Sequence, residues 1–381
     1  MSEMWINMGP QHPMTHGLWN LRVKIEGEMI LDVDPEMGYL HRGIEKISED
    51  RHYNEVITLM DRCCYVAGFS WEHLYILAAE QALHVEPPER AQYLRVLSDE
   101  FQRIGSHLMW YAAFVQDIGL MSPFLYGMRD RDLVLDLFQS YTGARLTYEY
   151  LRVGGVRSDL PPGFTDRSRK VLDWLEARFK EYDQLCLGST IFRERCDNLG
   201  ILKANDCIAH GVTGPMLRSA GVRRDLRKDR PYAVYSQVDF EVAVADGADV
   251  TARYLVRMEE MRQSIRILRQ ALDWLDAHPG PVIADRVPRW LGAPYAPIGN
   301  EGYLLKRSYP KGTGFSAVEE PHGEALAYVI NDGGQHPYRV KFRSPVFANI
   351  SAARQYLVGY HVADIPPIMG SVDVCVGEVD R

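Results

Sequence analysis

Apolar and polar residues alternate over residues 19–26, which predicts a β-strand with one buried face. The apolar positions are Trp19, Leu21, Val23 and Ile25. A tight turn at residues 26–28 leads into a second strand, in which Met29, Leu31 and Val33 alternate with polar residues. Residues 1–42 are therefore predicted to form a small antiparallel sheet together with the loop that precedes it.

Between residues 43 and 276 the apolar positions recur every three or four residues, which predicts helices. Four long helices are predicted: from Pro87–Pro88 to about Asp117, from Pro123 towards Gly143, over 165–186, and over 249–276. On the last of them, the predicted buried stripe consists of Leu255, Met258, Met261, Ile265, Leu268 and Leu272. Helices of this length without a heptad repeat pack as a bundle.

The chain after residue 276 reads as three successive parts. A segment rich in proline and glycine comes first, a β-hairpin is predicted over 324–343 with its turn at 331–334, and an apolar tail over 365–381 is expected to be buried. The chain is thus predicted to be α+β, mainly α, in three regions: an N-terminal sheet and loop (1–42), a helical bundle (43–276), and a hairpin and tail region (277–381).

The overall composition is that of a globular protein, since 46% of the 381 residues are hydrophobic and 25% are charged. The net charge of -8 argues against a general nucleic-acid-binding protein. No apolar run approaches the roughly 20 residues that a membrane-spanning helix needs, and the first residues do not resemble a signal peptide. We therefore expect a soluble chain made in the cytosol, whose membrane association depends on partners.

Six cysteines are scattered along the chain without any C-x-x-C pair. This spacing suits neither a disulfide framework nor an iron-sulfur cluster held by four thiolates. We expect reduced thiols, and any iron-sulfur cluster must belong to another chain.

Positive charge is concentrated in residues 213–230, which contain six lysine and arginine residues and two aspartates. Two interpretations are open. The segment is either a solvated surface or an anchor for an acidic or electron-carrying partner.

The stretch from Met8 to Gly17 reads Met-Gly-Pro-Gln-His-Pro-Met-Thr-His-Gly. Its two prolines exclude a helix, and its glycines permit a sharply shaped loop. Such a loop presents side chains, and the side chains capable of proton transfer here are His12 and His16.

Four motifs occur in a fixed order: this loop, Gly-Tyr-Leu-His-Arg-Gly-Ile-Glu-Lys over 38–46, Arg-Val-Gly-Gly-Val-Arg-Ser-Asp-Leu-Pro over 152–161, and Gly-Glu-Val-Asp-Arg over 377–381. Together they resemble the hydrogenase-derived quinone-site subunit of respiratory complex I and of related complexes that use other electron donors. The resemblance covers essentially the whole chain. It implies the fold of the nickel-iron hydrogenase large subunit, to which that family is similar.

In the hydrogenases, two C-x-x-C pairs hold the metal centre. The resemblance places Cys64 and Ala67 at the first pair and Cys375 and Glu378 at the second. Nickel and iron need the four thiolates that this chain lacks. We therefore predict no nickel-iron centre and no metal ligands, and a metal pocket that now serves another purpose.

The resemblance implies that this purpose is to bind a quinone headgroup, whose reduction takes two electrons and two protons. The family's proton donors, a loop histidine and a tyrosine, match His16 and Tyr65, and an aspartate behind the histidine matches Asp117. Histidine titrates near pH 6.5, tyrosine near pH 10 is a neutral donor, and a buried carboxylate raises the basicity of the imidazole. Further expected binding positions are His12, Thr15, His41, Arg42, Arg62 and Arg157.

The expected electron donor is a tetranuclear iron-sulfur cluster in a small neighbouring subunit, docked against Arg42 and residues 154–157. Other peripheral-arm and membrane-arm subunits complete the implied complex, which lies on the cytoplasmic side of the cell membrane and couples quinone reduction to proton translocation. NAD binds only to other subunits. Thr147 occupies the position at which many members of the family have a histidine near the cluster. Its presence implies an electron acceptor of low potential, such as menaquinone or methanophenazine. Ubiquinone is the third candidate acceptor.

Three alternatives are open on sequence grounds. In the first, the chain is the catalytic subunit of a membrane-bound nickel-iron hydrogenase. In the second, it is a structural subunit with a vestigial pocket. In the third, it binds quinone while an adjacent subunit supplies the protons.

Overall fold

The computed structural model describes residues 2–284 and 310–381, and every structural statement below refers to these residues. The N-terminal sheet has three antiparallel strands in sequential order: β1 (Met4–Met8), β2 (Asn20–Glu26) and β3 (Met29–Glu36). Leu21 and Val23 are buried, as the alternation predicted. The strand β1 was not predicted from the sequence.

The apolar residues that alternate in β3 do not share one buried face. Met29 is 37% exposed and Ile30 is buried, because the register between β2 and β3 shifts between Lys24 and Ile25. A shift of one residue turns alternate side chains to the other face of the sheet.

Eleven helices follow β3 in the described part of the chain before residue 284. They are α1 (Ile44–Glu49), α2 (Tyr53–Cys63), α3 (Gly68–Leu83), α4 (Glu89–Asp117), α5 (Met121–Thr142), α6 (Phe164–Leu187), α7 (Thr190–Cys196), α8 (Ala204–Ala209), α9 (Pro215–Arg218), α10 (Leu226–Asp229) and α11 (Val250–Ala277). The four long helices predicted from the sequence correspond to α4, α5, α6 and α11. Helix α4 packs against both α5 and α11 and forms the centre of the bundle.

The stripe predicted on α11 is correct except at Leu255, which is 40% exposed. Successive helical residues are rotated by about 100°, which places Leu255 roughly 100° from the centre of the stripe formed by the other five residues. Asp249 caps this helix, since its Oδ1 accepts a hydrogen bond from the Ala252 N–H at 2.8 Å.

The basic segment over 213–230 is partly interior, so both interpretations of it were wrong for its two most buried arginines. Arg218 donates hydrogen bonds to Glu260 at 2.8 Å and to Glu319 at 2.7 Å, and all three side chains are buried. Arg227 similarly donates to carboxylates inside the bundle. These arginines neutralise buried acids rather than face solvent or a partner.

Two further sheets complete the strands. A short hairpin joins β4 (Leu151–Arg152) to β5 (Gly155–Val156), and a three-stranded antiparallel sheet contains β6 (Gly312–Glu320), β7 (Gly323–Asn331) and β8 (Arg339–Arg343). The predicted hairpin is β7–β8, whereas β6 was not predicted. The segment rich in proline and glycine lies largely outside the described residues.

Strand β6 lies directly on helix α3. A Cβ atom at Gly314 would come within 1.8 Å of the Ala78 carbonyl oxygen, so this close approach requires glycine. The approach brings the β6–β7 turn into the interior of the protein.

Two short helices, α12 (Pro345–Ser351) and α13 (Ala353–Leu357), follow β8. The tail over 365–381 contains α14 (Ile365–Val372) and α15 (Val376–Asp380), and it is buried, as predicted. A cluster of buried apolar residues extends from Met8 to Val379 and includes members of all three predicted regions. The α+β, mainly helical class is confirmed, while the division into three regions stays a prediction. No helix in the described ranges is both long and apolar enough to span a bilayer.

Candidate functional site

A cavity of about 400 Å³ lies between the N-terminal loop, helix α4 and the tail. Its lining residues are Pro13, His16, Tyr65, Val66, Ser106, Met109, Trp110, Ala113, Gln116, Asp117, Asp373, Val374 and Cys375. The three residues predicted to be catalytic therefore share one cavity, although they come from three distant parts of the sequence. Its walls combine apolar side chains with a few polar groups, which is typical of small-molecule sites.

The loop that carries His16 is held by its own hydrogen bonds. A 3-10 turn spans Pro13–Thr15. His12, which precedes this turn, accepts a hydrogen bond at Nδ1 from the Met14 N–H at 3.2 Å. His16, which follows the turn, adopts a left-handed backbone conformation (φ 49°). The Thr15 hydroxyl lies 2.7 Å from the His12 carbonyl oxygen, and the Thr15 carbonyl accepts from the Trp19 indole at 2.7 Å. His12 and Thr15 thus shape the loop and do not line the cavity.

His16 and Asp117 form a close pair in the cavity wall. His16 Nε2 lies 2.8 Å from Asp117 Oδ2, and both side chains are largely buried. Burial lowers the pKa of His16, but the hydrogen bond and the negative charge of Asp117 outweigh it, so that the pKa of His16 is raised above its ordinary value. Asp117 is the last residue of α4, and Gly370 in α14 leaves room for its carboxylate.

Tyr65 enters the cavity from the turn between α2 and α3, and 43% of its surface is exposed. The neighbouring Cys375 and the burial of the phenol raise the pKa of Tyr65. Its hydroxyl is therefore protonated at neutral pH and is a neutral hydrogen-bond donor.

A buried polar cluster lies behind this wall, and the sequence did not reveal it. Cys64, Glu320, His322 and Glu378 each place a ligand-type atom within 4.8 Å of the others, and all four are buried. Glu320 and His322 were missed because the β6–β7 turn, Glu-Pro-His-Gly, matches no motif spacing. Only the unpredicted strand β6 brings them to Cys64.

The donor set does not fit a nickel-iron centre. Ala67 has no ligand atom and is buried, and Glu378 supplies a hard carboxylate where a hydrogenase has a thiolate. Two cysteines, Cys64 and Cys375, cannot provide the four thiolates that this centre requires.

His41, Arg42 and Arg62 lie on the outer side of the same region. Arg42 donates hydrogen bonds to the carbonyls of Arg62 at 2.7 Å and Gly377 at 3.1 Å, and His41 Nδ1 lies 2.5 Å from the Asp380 carbonyl oxygen. None of the three lines the cavity. Both arginines are exposed and Tyr65 packs beside Gly377, so this positive surface lies close to the phenol.

The hairpin that carries Arg157 differs from the docking surface expected for it. Residues 151–156 are buried; Arg95 donates a hydrogen bond to the Gly155 carbonyl oxygen at 3.1 Å, and Gly155 pairs with Ile283. Arg157 is half-buried and donates to the Thr142 carbonyl oxygen. The two glycines of this hairpin, Gly154 and Gly155, are buried and pack inside the chain, so they are not available to a partner.

The chain was compared with known proteins. Residues 117–381 match the family described as respiratory-chain NADH dehydrogenase, 49 Kd subunit, and residues 42–115 match nickel-dependent hydrogenase. The chain is 43% identical to an NADH-quinone oxidoreductase subunit from Geotalea uraniireducens, over 99% of this chain and 98% of the relative. It is 42% identical to an F(420)H(2) dehydrogenase subunit from Methanosarcina mazei, over 100% and 98%. These matches agree with the motifs and with the predicted fold.

Proposed function

Because the chain belongs to the family of the 49 Kd subunit of respiratory-chain NADH dehydrogenase, we propose that it forms the quinone headgroup site of a membrane-associated respiratory oxidoreductase. Electrons reach the quinone from an iron-sulfur cluster in a small neighbouring subunit. The chain is a peripheral subunit on the cytoplasmic side of the cell membrane, and the complex couples quinone reduction to proton translocation.

The observation that carries this proposal is the close pair of His16 and Asp117, 2.8 Å apart, in the same cavity as Tyr65. Reduction of a quinone to a quinol consumes two electrons and two protons. His16 supplies one proton, and Asp117 holds the ring and favours its protonated form. Tyr65 supplies the other proton as charge develops on the second oxygen. Apolar residues such as Val66 and Ala113 limit the access of water.

The exposed surface formed by His41, Arg42 and Arg62 is the proposed contact for the iron-sulfur subunit. Positive charge near a centre that gains electrons stabilises its reduced form. Residues 151–156 were expected to belong to this contact surface, but they are buried, so we leave them out of it. Arg157 is half-buried and lies at the edge of the proposed contact surface. Other peripheral-arm and membrane-arm subunits complete the complex.

The names of two relatives suggest candidates for the electron donor. One relative is named for NADH and another for F(420)H(2), so the donor is one of these or a carrier that feeds the same cluster. NAD or its counterpart binds to another subunit. Thr147 replaces a group that could couple the cluster to a proton, which favours menaquinone or methanophenazine over ubiquinone as the acceptor.

The test is electron transfer from donor to quinone in membranes that contain the assembled complex, with His16→Ala and Tyr65→Phe as separate variants. Reduction of an artificial acceptor that draws electrons before the quinone serves as the internal reference. We expect each variant to lose quinone reduction by about 10²-fold while the reference reaction is preserved. Exposed residues of the same types provide the controls, His361→Ala and Tyr338→Phe. Normal quinone reduction in both site variants would place the site in another subunit.

A further inference from the structure

The buried cluster of Cys64, Glu320, His322 and Glu378 has the donors and the dimensions of a metal site. The four protein ligands of a tetrahedral Zn²⁺ site lie roughly 3.3–3.8 Å from one another, given zinc-ligand bonds of about 2.0–2.3 Å. From His322 Nδ1, the distances are 3.0 Å to Glu320 Oε2, 3.4 Å to Glu378 Oε2 and 3.9 Å to Cys64 Sγ. These three distances are near those of a zinc site, and the ligand-type atoms of all four residues lie within 4.8 Å of one another.

Hydrogen bonds satisfy this cluster only in part. His322 Nδ1 can carry one proton, and it lies 3.2 Å from Glu320 Oε1, within hydrogen-bonding distance. Glu320 Oε2 and Glu378 Oε2 are buried and accept no hydrogen bond. Buried polar atoms without partners are costly, and one cation among these donors would satisfy all of them.

The surroundings orient the donors towards a common point. His322 Nε2 faces Asp373 Oδ2 at 3.4 Å, which leaves Nδ1 as the ligand atom. Glu378 Oε1 accepts from the Ser344 hydroxyl at 2.8 Å and from the Val346 N–H at 3.3 Å, which leaves Oε2 directed inward. A histidine whose second nitrogen faces a carboxylate, and a carboxylate held by a hydroxyl, are the usual outer partners of metal ligands.

We propose that Cys64, Glu320, His322 and Glu378 bind one Zn²⁺ ion as a closed structural site behind the cavity wall. One thiolate, one imidazole and two carboxylates suit zinc, whereas they do not suit a nickel-iron centre. The site would fix the cavity wall, because Cys64 precedes Tyr65 and the Asp373 beside His322 lines the cavity. This inference goes beyond the proposed function, and it departs from the sequence expectation of no metal ligands.

The experiment measures zinc in the intact purified complex by mass spectrometry and by X-ray absorption at the zinc edge. We expect wild-type complex to contain about one more zinc per complex than Cys64→Ser or His322→Gln complex. The control is Cys207→Ser, which changes a buried cysteine whose thiol contacts the Leu202 carbonyl oxygen instead. In the wild-type complex, X-ray absorption should show that this additional zinc has one sulfur neighbour and three nitrogen or oxygen neighbours.

Equal zinc contents in wild-type and variant complexes would overturn the proposal, and His322 would then be an imidazolium ion paired with the two glutamates. Should the variants fail to assemble, the wild-type complex decides the question: the absence of zinc, or zinc without a sulfur neighbour, overturns the proposal. Metal content does not depend on quinone reduction, so failure of one proposal leaves the other intact.

Discussion

The protonation state of His16 depends mainly on Asp117, with a further contribution from the negative charge of Asp373. Because the pKa of His16 is raised in the folded chain, the pair contributes stability that is complete below the unfolded value of about 6.5 and is lost as the pH rises through the raised value. Under the proposed function, proton donation has the same pH dependence, because it stops when His16 loses its proton. Stability and activity should therefore decline together on the alkaline side.

The variant Asp117→Asn tests this dependence. Without the carboxylate charge, the pKa of His16 falls, so the alkaline limb of the pH profile for quinone reduction should move to lower pH. The rate near pH 8 should fall by about 10²-fold. The measurement is the pH profile in membranes with the upstream acceptor as the reference. Asp364→Asn, which alters an aspartate 3.6 Å from the exposed His361, should leave the profile unchanged. An alkaline limb that stays in place in Asp117→Asn would contradict the assigned role.

At the scale of secondary-structure elements, buried ion pairs join the bundle to the C-terminal sheet. Arg218 at the end of α9 bridges Glu260 on α11 and Glu319 on β6. Taking such charges out of water is expensive, and removal of one partner leaves the others buried without compensation. This network ties β6, and with it the β6–β7 turn, to the helices.

Replacement of Arg218 by methionine should lower the free energy of unfolding by about 3–5 kcal/mol, because two buried carboxylates then lose their cation. Arg224→Met is the matched control in the same segment, since Arg224 is exposed and pairs with Glu324 at 2.7 Å. Loss of that pair should cost less than about 1 kcal/mol. The measurement is the urea midpoint for proteolysis of this chain within the complex. Equal effects of the two substitutions would contradict the structural role assigned to Arg218.

At the scale of the whole molecule, the turn over 38–42 meets residues 380 and 381, which are far from it in the sequence. Asp380 accepts hydrogen bonds from the Gly38 and Leu40 N–H groups, each at 2.8 Å, and the Arg42 N–H donates to the Arg381 carbonyl oxygen. The turn over 38–42 therefore depends on the tail.

The variant Asp380→Ala leaves two N–H groups of this turn without their acceptor. Protection of residues 38–42 against hydrogen exchange should fall by about 1–3 kcal/mol, the usual cost of unmade hydrogen bonds. Asp380→Asn retains one acceptor oxygen and should show about half the effect. The measurement is hydrogen exchange of the assembled complex followed by mass spectrometry. Unchanged protection in the alanine variant would show that the turn is stable without the tail.

The sequence predicted those parts of the molecule that follow local rules. The long helices, the alternation at Leu21 and Val23, and the loop that presents His16 each follow from periodicity or from proline and glycine. One failure is local: a bulge in the β2–β3 hairpin exposes Met29. The other failures are long-range contacts, namely the burial of Arg218 among distant acids and the meeting of His322 with Cys64. Such contacts depend on packing that no short window of sequence contains.

The contact between residues 38 and 380 can form only after both residues have been synthesised. These residues are 342 positions apart, and at about 5–20 residues per second the ribosome needs roughly 17–70 s to reach the second from the first. For that interval the nascent loop and turn have no tail to pack against, and the cavity lacks the wall formed by residues 373–375. The complete cavity therefore forms only after residues 373–375 have been synthesised, and a polypeptide released before that point would carry an incomplete pocket.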